Sequence, residues 1–113
     1  MKVLKIEINE KTYTTGKITC FLSKEALKIQ KEALSLAEKG IDIQKAGQEV
    51  DLKDVDSLLS KLLEVKERKT WLICEVFGNK FTADELEKSF SDEEIEAQIN
   101  DIITGVSEVV QKN

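Results

Sequence analysis

Residues 81–95 have the sequence FTADELEKSFSDEEI, in which one short pattern occurs twice, nine residues apart. Each copy contains a Phe, a hydroxyl residue, a Glu three residues after the hydroxyl, and then an aliphatic residue. In a capping box the hydroxyl and the Glu bond each other's backbone amides, and the flanking apolar pair packs as a hydrophobic staple. The repeat therefore predicts two helix starts: a short helix over about 83–89 and a longer one over about 91–110.

A long helix is predicted upstream of this repeat. Asp51 is its predicted N-cap, and apolar residues continue at three- and four-residue spacing to Gly78, keeping one stripe across the polar run 66–70. We therefore predict a continuous or mildly kinked helix over 51–77. Such a helix is roughly 40 Å long. One end would overhang a domain of this size and invite self-association, which makes a homo-oligomer an open alternative.

The preceding helix is predicted over about 23–39. Ser23 has the chemistry of an N-cap, and Gly40 stands where a left-handed C-cap is expected. Residues 41–50 lack helical periodicity and are predicted to form a loop, in which a short extended piece at 41–43 is left open. The predicted buried stripe of this helix consists of Ala26, Leu27, Gln30, Ala33, Leu34 and Ala37.

The N-terminal segment predicts a β-hairpin over 2–15. Leu4, Ile6 and Ile8 alternate with polar residues, a polar turn follows, and residues 12–15 are β-branched or aromatic. A two-stranded hairpin is marginal alone, so it must pack on the helices or pair with another chain. The predicted fold is therefore α+β and mostly helical, with the hairpin packed on three to four helices in a single domain over 1–113.

Composition excludes several classes of function. The 113 residues contain no His, which removes the commonest general base and zinc ligand, and no nucleotide-binding or nucleophile motif occurs. No apolar run is long enough for a membrane span, and no signal peptide opens the chain. Cys20 and Cys74 stand alone among apolar neighbours and are expected to be buried reduced thiols. We predict no enzyme, no catalytic residue, no cofactor and no metal site.

The charge is concentrated at the C-terminal end. The net charge is −5, but residues 1–83 carry 15 basic and 13 acidic residues, whereas residues 84–113 carry two Lys and nine acidic residues. Nucleic acids and anionic membranes attract basic surfaces, so neither is an expected partner. A protein with a basic face is the better fit.

Four of the six aromatic residues fall within about 20 positions around the turn that follows the long helix. The favoured interpretation is that they close the core where the helices meet. The other interpretation is an exposed anchor for a partner, because Trp and Phe are frequent at interface hot spots. On that second interpretation the candidate partner-binding residues are Trp71, Phe77, Phe81, Leu86 and Phe90.

Residues 76–86, VFGNKFTADEL, resemble a phrase found in tail assembly chaperones of long-tailed, siphovirus-type phages and prophages of Gram-positive bacteria. The order of elements is also similar: a short strand pair, a Leu/Ala/Lys helix, a long charged helix and an acidic C-terminal helix. The resemblance implies a non-enzymatic protein that binds the tape measure protein and recruits tail tube subunits. It also implies a place in the host bacterial cytoplasm and absence from the mature virion.

A second interpretation of the acidic end is a small adaptor or antirepressor module that mimics DNA and binds a basic protein. Such binding would be sensitive to salt, whereas binding through apolar surfaces would persist at moderate salt. Part of the acidic excess has a structural origin, because the positive end of the helix dipole stabilises acidic side chains in the first turn.

Overall fold

A computed structural model describes residues 4–15, 17–46 and 51–111, without the side chains of residue 46 and residues 105–111. A two-stranded antiparallel hairpin is followed by helices, so the predicted α+β, mostly helical class is confirmed. The elements are β1 (Lys5–Ile8), β2 (Lys11–Thr14), α1 (Cys20–Ala46), α2 (Leu52–Val76), α3 (Ala83–Ser89) and α4 (Asp92–Gln111).

The hairpin turns at Asn9 and Glu10, whose φ angles are 52° and 68°. Two successive residues in this left-handed conformation form the type I′ turn, whose twist matches that of the two strands. Alternate residues of β1 are buried, including Ile6 and Ile8, so one face of the hairpin packs on the helices. The predicted hairpin is confirmed, and residues 2 and 3 of its predicted range lie outside the described residues.

Helix α1 extends beyond the predicted range 23–39 at both ends. The hydroxyl of Thr19 accepts a hydrogen bond from the Leu22 amide at 3.3 Å and thus caps the helix, whereas Ser23 lies within the first turns and donates to the Cys20 carbonyl. Gly40 is not a C-cap but an interior helical residue.

The predicted loop over 41–50 is therefore wrong as far as residue 46, and so is the extended piece at 41–43, because both are helical. Residues 47–50 lie outside the described residues. The physical reason is packing: α1 runs against α2, and Gly40 lies close enough that a Cβ there would meet Leu58 at 4.0 Å. Tertiary contact of this kind overrides the weak local preference of one glycine against helix.

The predicted buried stripe of α1 is also partly wrong. Leu27 and Leu34 are exposed, by 57% and 63%, whereas Ile29 and Leu36 are buried. Of the other predicted members, Ala26 is buried, Gln30 and Ala33 are half-buried, and Ala37 is exposed. The buried side of α1 is the side that neighbouring elements cover. It differs from the stripe that contains the most apolar residues.

Helix α2 is continuous, as predicted for 51–77. Asp51 caps its start by accepting a hydrogen bond from the Lys53 amide at 3.0 Å. Its end is a Schellman motif, in which the Asn79 amide bonds the Cys74 carbonyl at 2.8 Å and Gly78 adopts a φ of 73°. The motif turns the chain sharply into α3.

Both predicted capping boxes are present. Thr82 and Glu85 bond each other's amides at 3.1 Å, and Ser91 and Glu94 do so at 3.2 and 3.0 Å. The predicted helices over 83–89 and 91–110 are accordingly confirmed within two residues. Phe81, the staple residue of the first box, is buried in the core beside the hairpin.

The core occupies one end of the molecule. It joins β1, residues 22–36 of α1, the second half of α2, α3 and residues 95–102 of α4. The first buried residue of α2 is Val65, so the half of this helix that precedes it contributes no fully buried side chain. The Cα radius of gyration is 16.3 Å, compared with about 13 Å for a compact domain of this length. Residues 37–46 of α1 and 52–64 of α2 therefore extend from the core, and we call them the arm.

Candidate functional site: an apolar groove on the helical arm

Three of the five predicted partner-binding residues lie in the core. Phe77, Phe81 and Leu86 are at most 4% exposed. The Phe81 ring packs against Phe77 at 5.8 Å and against Tyr13 of the hairpin at 5.1 Å, measured between ring centroids. In this structure the three side chains join the hairpin to the end of α2, which is the role that the core interpretation predicts.

The other two predicted residues reach the surface at different places. Trp71 is 39% exposed and packs edge to face against Phe21 of α1, with centroids 6.5 Å apart. Phe90 is half-buried between α3 and α4. Phe21, itself 59% exposed, was not among the predicted site residues. The surface part of the predicted cluster thus consists of Trp71 and Phe90.

Ion pairs beside Trp71 fix α1 against α2. The Arg68 guanidinium donates to Glu25 at 3.1 Å and to Glu32 at 3.2 Å. Its two partners lie seven residues apart on α1, and so on the same side of that helix. One fork-shaped cation thereby holds two turns of α1 in register with α2.

A second polar cluster holds α4 against the same two helices. Glu96 of α4 accepts a hydrogen bond from Lys69 of α2 at 2.6 Å and one from Gln30 of α1 at 3.1 Å. One turn earlier, Asp92 pairs with Lys66 at 3.0 Å. Burial by itself would raise the pKa of Glu96, but the bonds from Lys69 and Gln30 outweigh it and hold that pKa below its usual value. Helix α4 is therefore seated between α1 and α2.

Beyond the start of α4, the same side of the two helices is uncovered. Leu59 lies seven residues before Lys66 and Leu62 seven before Lys69, so both leucines are on the side of α2 that α4 contacts. On α1, Leu34 is one turn after Gln30, and Ile41 follows seven residues later. We call this surface the distal groove; its exposed residues are Leu34, Ile41, Leu52, Leu59, Leu62 and Leu63.

The distal groove is strongly apolar for a solvent-exposed surface. Its members are between 37% and 83% exposed, the lowest being Leu62 and the highest Leu52. Large exposed apolar patches on proteins mark interaction sites or binding grooves. Sequence reasoning missed it because the leucines of α2 were taken as one buried stripe. The seven-residue spacing of Leu34 with Ile41 and of Leu52 with Leu59 was the available signal.

A cleft of about 400 Å³ lies between α2, α3 and α4, but it has little chemistry to offer. Its lysines, Lys66 and Lys69, already bond Asp92 and Glu96, and Phe90 and Ile95 form the apolar part of its wall. The cleft is accordingly an extension of the surface on which α4 packs.

The cysteines differ from expectation in one case. Cys74 is buried, as predicted, and burial, followed by the nearby Glu75, Glu87 and Glu85, raises the pKa of its thiol. Cys20 is exposed at the start of α1, so its predicted burial is wrong. A thiol with a raised pKa is a poor nucleophile.

Within residues 4–15, 17–46 and 51–111, no group of three or more His, Cys, Asp or Glu side chains is arranged to hold a metal ion. Among the helices so described, none is both long and apolar enough to cross a membrane.

Comparison with known proteins identifies one family. The family model described as phage tail chaperone protein matches residues 1–113. No curated protein and no solved structure matches the chain. Families of this kind are generally non-catalytic and take protein partners during tail assembly. Because the match covers the whole sequence, the chain belongs to the phage tail chaperone family.

Proposed function

We propose that this protein is a tail assembly chaperone that binds the tape measure protein and recruits tail tube subunits without catalysing a reaction. It acts in the host bacterial cytoplasm and is left out of the mature virion. The family match supports the role in assembly. The observation that carries the proposal is the distal groove, in which six large apolar side chains remain in solvent on the arm and beside it. A chaperone needs such a surface to cover apolar segments of an unassembled partner.

The form of that surface suits a helical partner. Two antiparallel helices with apolar residues at seven-residue spacing accept an amphipathic helix in the groove between them. The resemblance noted in residues 76–86 implies a long helical tape measure protein, whose repeated apolar stripes would offer many such helices. A modest affinity at each contact also allows each copy of the chaperone to dissociate when the tube replaces it.

The direct test is to express this protein together with the tape measure protein of the same phage. We expect the two to purify together, and the tape measure protein to stay in the soluble fraction only when the chaperone is present. An unrelated acidic helical protein of similar size serves as the control. Absence of association at micromolar concentrations contradicts the proposal. Recruitment of the tube is tested by adding tube protein to the purified pair, where retention must depend on both components.

The acidic-adaptor alternative has less support from the contacts of the acidic residues. Asp84 pairs with Lys88 at 3.0 Å and Asp92 with Lys66, while Glu85 and Glu94 serve in the capping boxes. Much of the acidic excess is thus engaged within the chain. The two functions separate in salt: at about 1 M, where the Debye length is about 3 Å, apolar binding of the tape measure protein should persist and mimicry of DNA should not.

A further inference from the structure

The distal groove is the unoccupied continuation of the α1–α2 surface on which α4 packs. In the near half of the α1–α2 groove lies α4, whose Ile95, Ile99 and Ile102 are buried there and in the core. The far half begins where α4 begins, at Asp92 beside Lys66, and extends toward the ends of α1 and α2. Both halves are formed by the same two continuous helices, α1 and α2.

The length of the far half sets the length of its occupant. It covers residues 34–46 of α1 and 52–63 of α2, which are 13 and 12 residues. At 1.5 Å per residue these segments are about 20 Å and 18 Å long. A helix of three to four turns fills that length, and its apolar residues must recur with the same period to meet Leu34 and Ile41 on one wall and Leu52 and Leu59 on the other.

Charge at the inner end of the distal groove selects the polarity of the occupant. The first turn of α4 carries Asp92, Glu93 and Glu94, and the Asp92 side chain is 80% exposed despite its pairing with Lys66. A helix that ends against this turn gains from Lys or Arg in its last residues, which also suit the negative end of its own dipole.

The arm and the first turn of α4 in a second copy of this chain lack that basic surplus. Residues 34–46 contain two acidic residues and two Lys, and residues 51–63 contain three acidic residues and two Lys. Its α4, with Asp92, Glu93 and Glu94 in the first turn, is acidic where the occupant should be basic. The charges of these segments therefore favour a foreign helix over the arm or the α4 of a second copy.

We propose that the distal groove binds one amphipathic helix of the client protein, three to four turns long, with apolar residues at heptad spacing and Lys or Arg at the end next to Asp92. The inference rests on the proposed function, since the client is the protein that the chaperone coats. It places the client contact on the arm and not on the aromatic residue Trp71. It also makes α4 a fixed neighbour of the bound helix.

The experiment compares three variants of the full chain in binding the tape measure protein. Leu59→Lys puts a charge in the middle of the distal groove. Leu27→Lys is the matched control, because Leu27 is exposed to nearly the same extent, 57% against 54%, but lies in the first half of α1 and outside the distal groove. Trp71→Ala tests the competing aromatic site. Circular dichroism and urea midpoints verify that each variant folds.

We expect Leu59→Lys to weaken binding by about tenfold or more, the loss typical of a charge in the centre of an interface, and the other two variants to change it by less than about threefold. Equal binding by wild type and Leu59→Lys overturns the inference but leaves the proposed function standing. A loss confined to Trp71→Ala moves the contact to the aromatic residue. No binding by the wild type overturns both proposals.

Two further measurements test the occupant. Glu93→Lys should weaken binding several-fold at low salt and less at high salt, because it removes attraction for a basic helix end; an unchanged affinity contradicts the proposed polarity. Light scattering of the chaperone alone should show a monomer across the concentrations used for binding. A dimer that Leu59→Lys dissociates would mean that a second copy occupies the groove, which overturns the proposal.

Discussion

Lys69 of α2 donates a 2.6 Å hydrogen bond to Glu96 of α4, and this pair joins two helices that are separated in sequence by the whole of α3. The Lys69 side chain is only 16% exposed, whereas that of Glu96 is 38% exposed. The pair therefore acts as a partly buried link between α2 and the acidic α4, one turn from the Lys66–Asp92 pair at the inner end of the distal groove.

Stability should depend on pH through Glu96. Its pKa in the folded state lies below 4.5, the usual value, which the carboxyl recovers in the unfolded chain. At a pH between the folded and the unfolded pKa the unfolded chain binds more protons, so stability rises with pH. The stabilisation is present above the unfolded pKa and is lost as the pH falls through the folded pKa. Urea unfolding should show Glu96→Gln to be less stable than wild type by about 1 kcal/mol at neutral pH, a value kept small by solvent screening.

The same two proteins measured in acid provide the control for that prediction. The difference between them should narrow as the pH falls through the folded pKa of Glu96, since the wild-type carboxylate then becomes protonated. A gap that stays constant with pH would show that the substitution acts through packing and not through charge.

The first capping box should contribute measurably to stability. Thr82→Ala removes the oxygen that accepts the Glu85 amide at 3.1 Å, and N-cap deletions of this kind cost about 1 kcal/mol. Ser60→Ala, an exposed position in the interior of α2, is the matched control and should be neutral or slightly stabilising because Ala favours helix. Chemical denaturation of the two variants tests this, and equal midpoints would contradict it.

These local signals explain which parts of the fold were predictable from sequence. The residue types at Asp51, Thr82 and Ser91 predict helix starts, because each side chain can accept a hydrogen bond from an amide of the first turn. The structure contains all three of these hydrogen bonds. The start and end of α1 were not predictable from the same rules. Ser23 and Gly40 have cap chemistry, but the competing cap at Thr19 and packing against α2 decide the outcome.

The candidate site was less predictable, since it depends on which apolar residues stay uncovered. Leu59 and Leu72 both belong to the apolar spacing pattern of α2, yet Leu72 is buried and Leu59 is 54% exposed. The difference arises from how far along α2 the helices α3 and α4 reach, which is a property of chain connectivity and not of local periodicity. The family resemblance in residues 76–86, in contrast, rests on a turn and a capping box, which are local features that can be recognised in the sequence itself.

The two cysteines should react at very different rates. Cys20 is exposed, whereas Cys74 is buried and the pKa of its thiol is raised, so less of it is thiolate at neutral pH. A thiol reagent should therefore modify one cysteine rapidly in the native protein and both after denaturation. Mass spectrometry identifies the site, and Cys20→Ser should abolish the rapid phase. A rapid phase that survives this substitution would place Cys74 at the surface.

Trp71 provides a reporter for the surface part of the aromatic cluster. With 39% exposure its fluorescence should be quenched by acrylamide in the free native protein, to an extent approaching that of the unfolded chain. Phe77→Ala, which removes a ring only 2% exposed, should in contrast cost about 3–5 kcal/mol, because it leaves a cavity in the core. Weak quenching of Trp71, or a small effect of Phe77→Ala, would reverse this assignment.

Two glycines that sequence analysis placed at helix ends should respond in opposite directions to alanine. Gly40 is inside α1, where a Cβ would meet its nearest neighbour, a methyl group of Leu58, at 4.0 Å, an ordinary van der Waals contact. Gly40→Ala should therefore stabilise the fold by about 0.5–1 kcal/mol, because Ala loses less backbone entropy in a helix. Gly78 has space around it but a φ of 73°, so Gly78→Ala should destabilise by about 1 kcal/mol. Thermal and urea unfolding of both variants measures the two signs. A destabilising Gly40→Ala would contradict the placement of Gly40 in an uncrowded helix interior, on which the position of Ile41 in the distal groove depends.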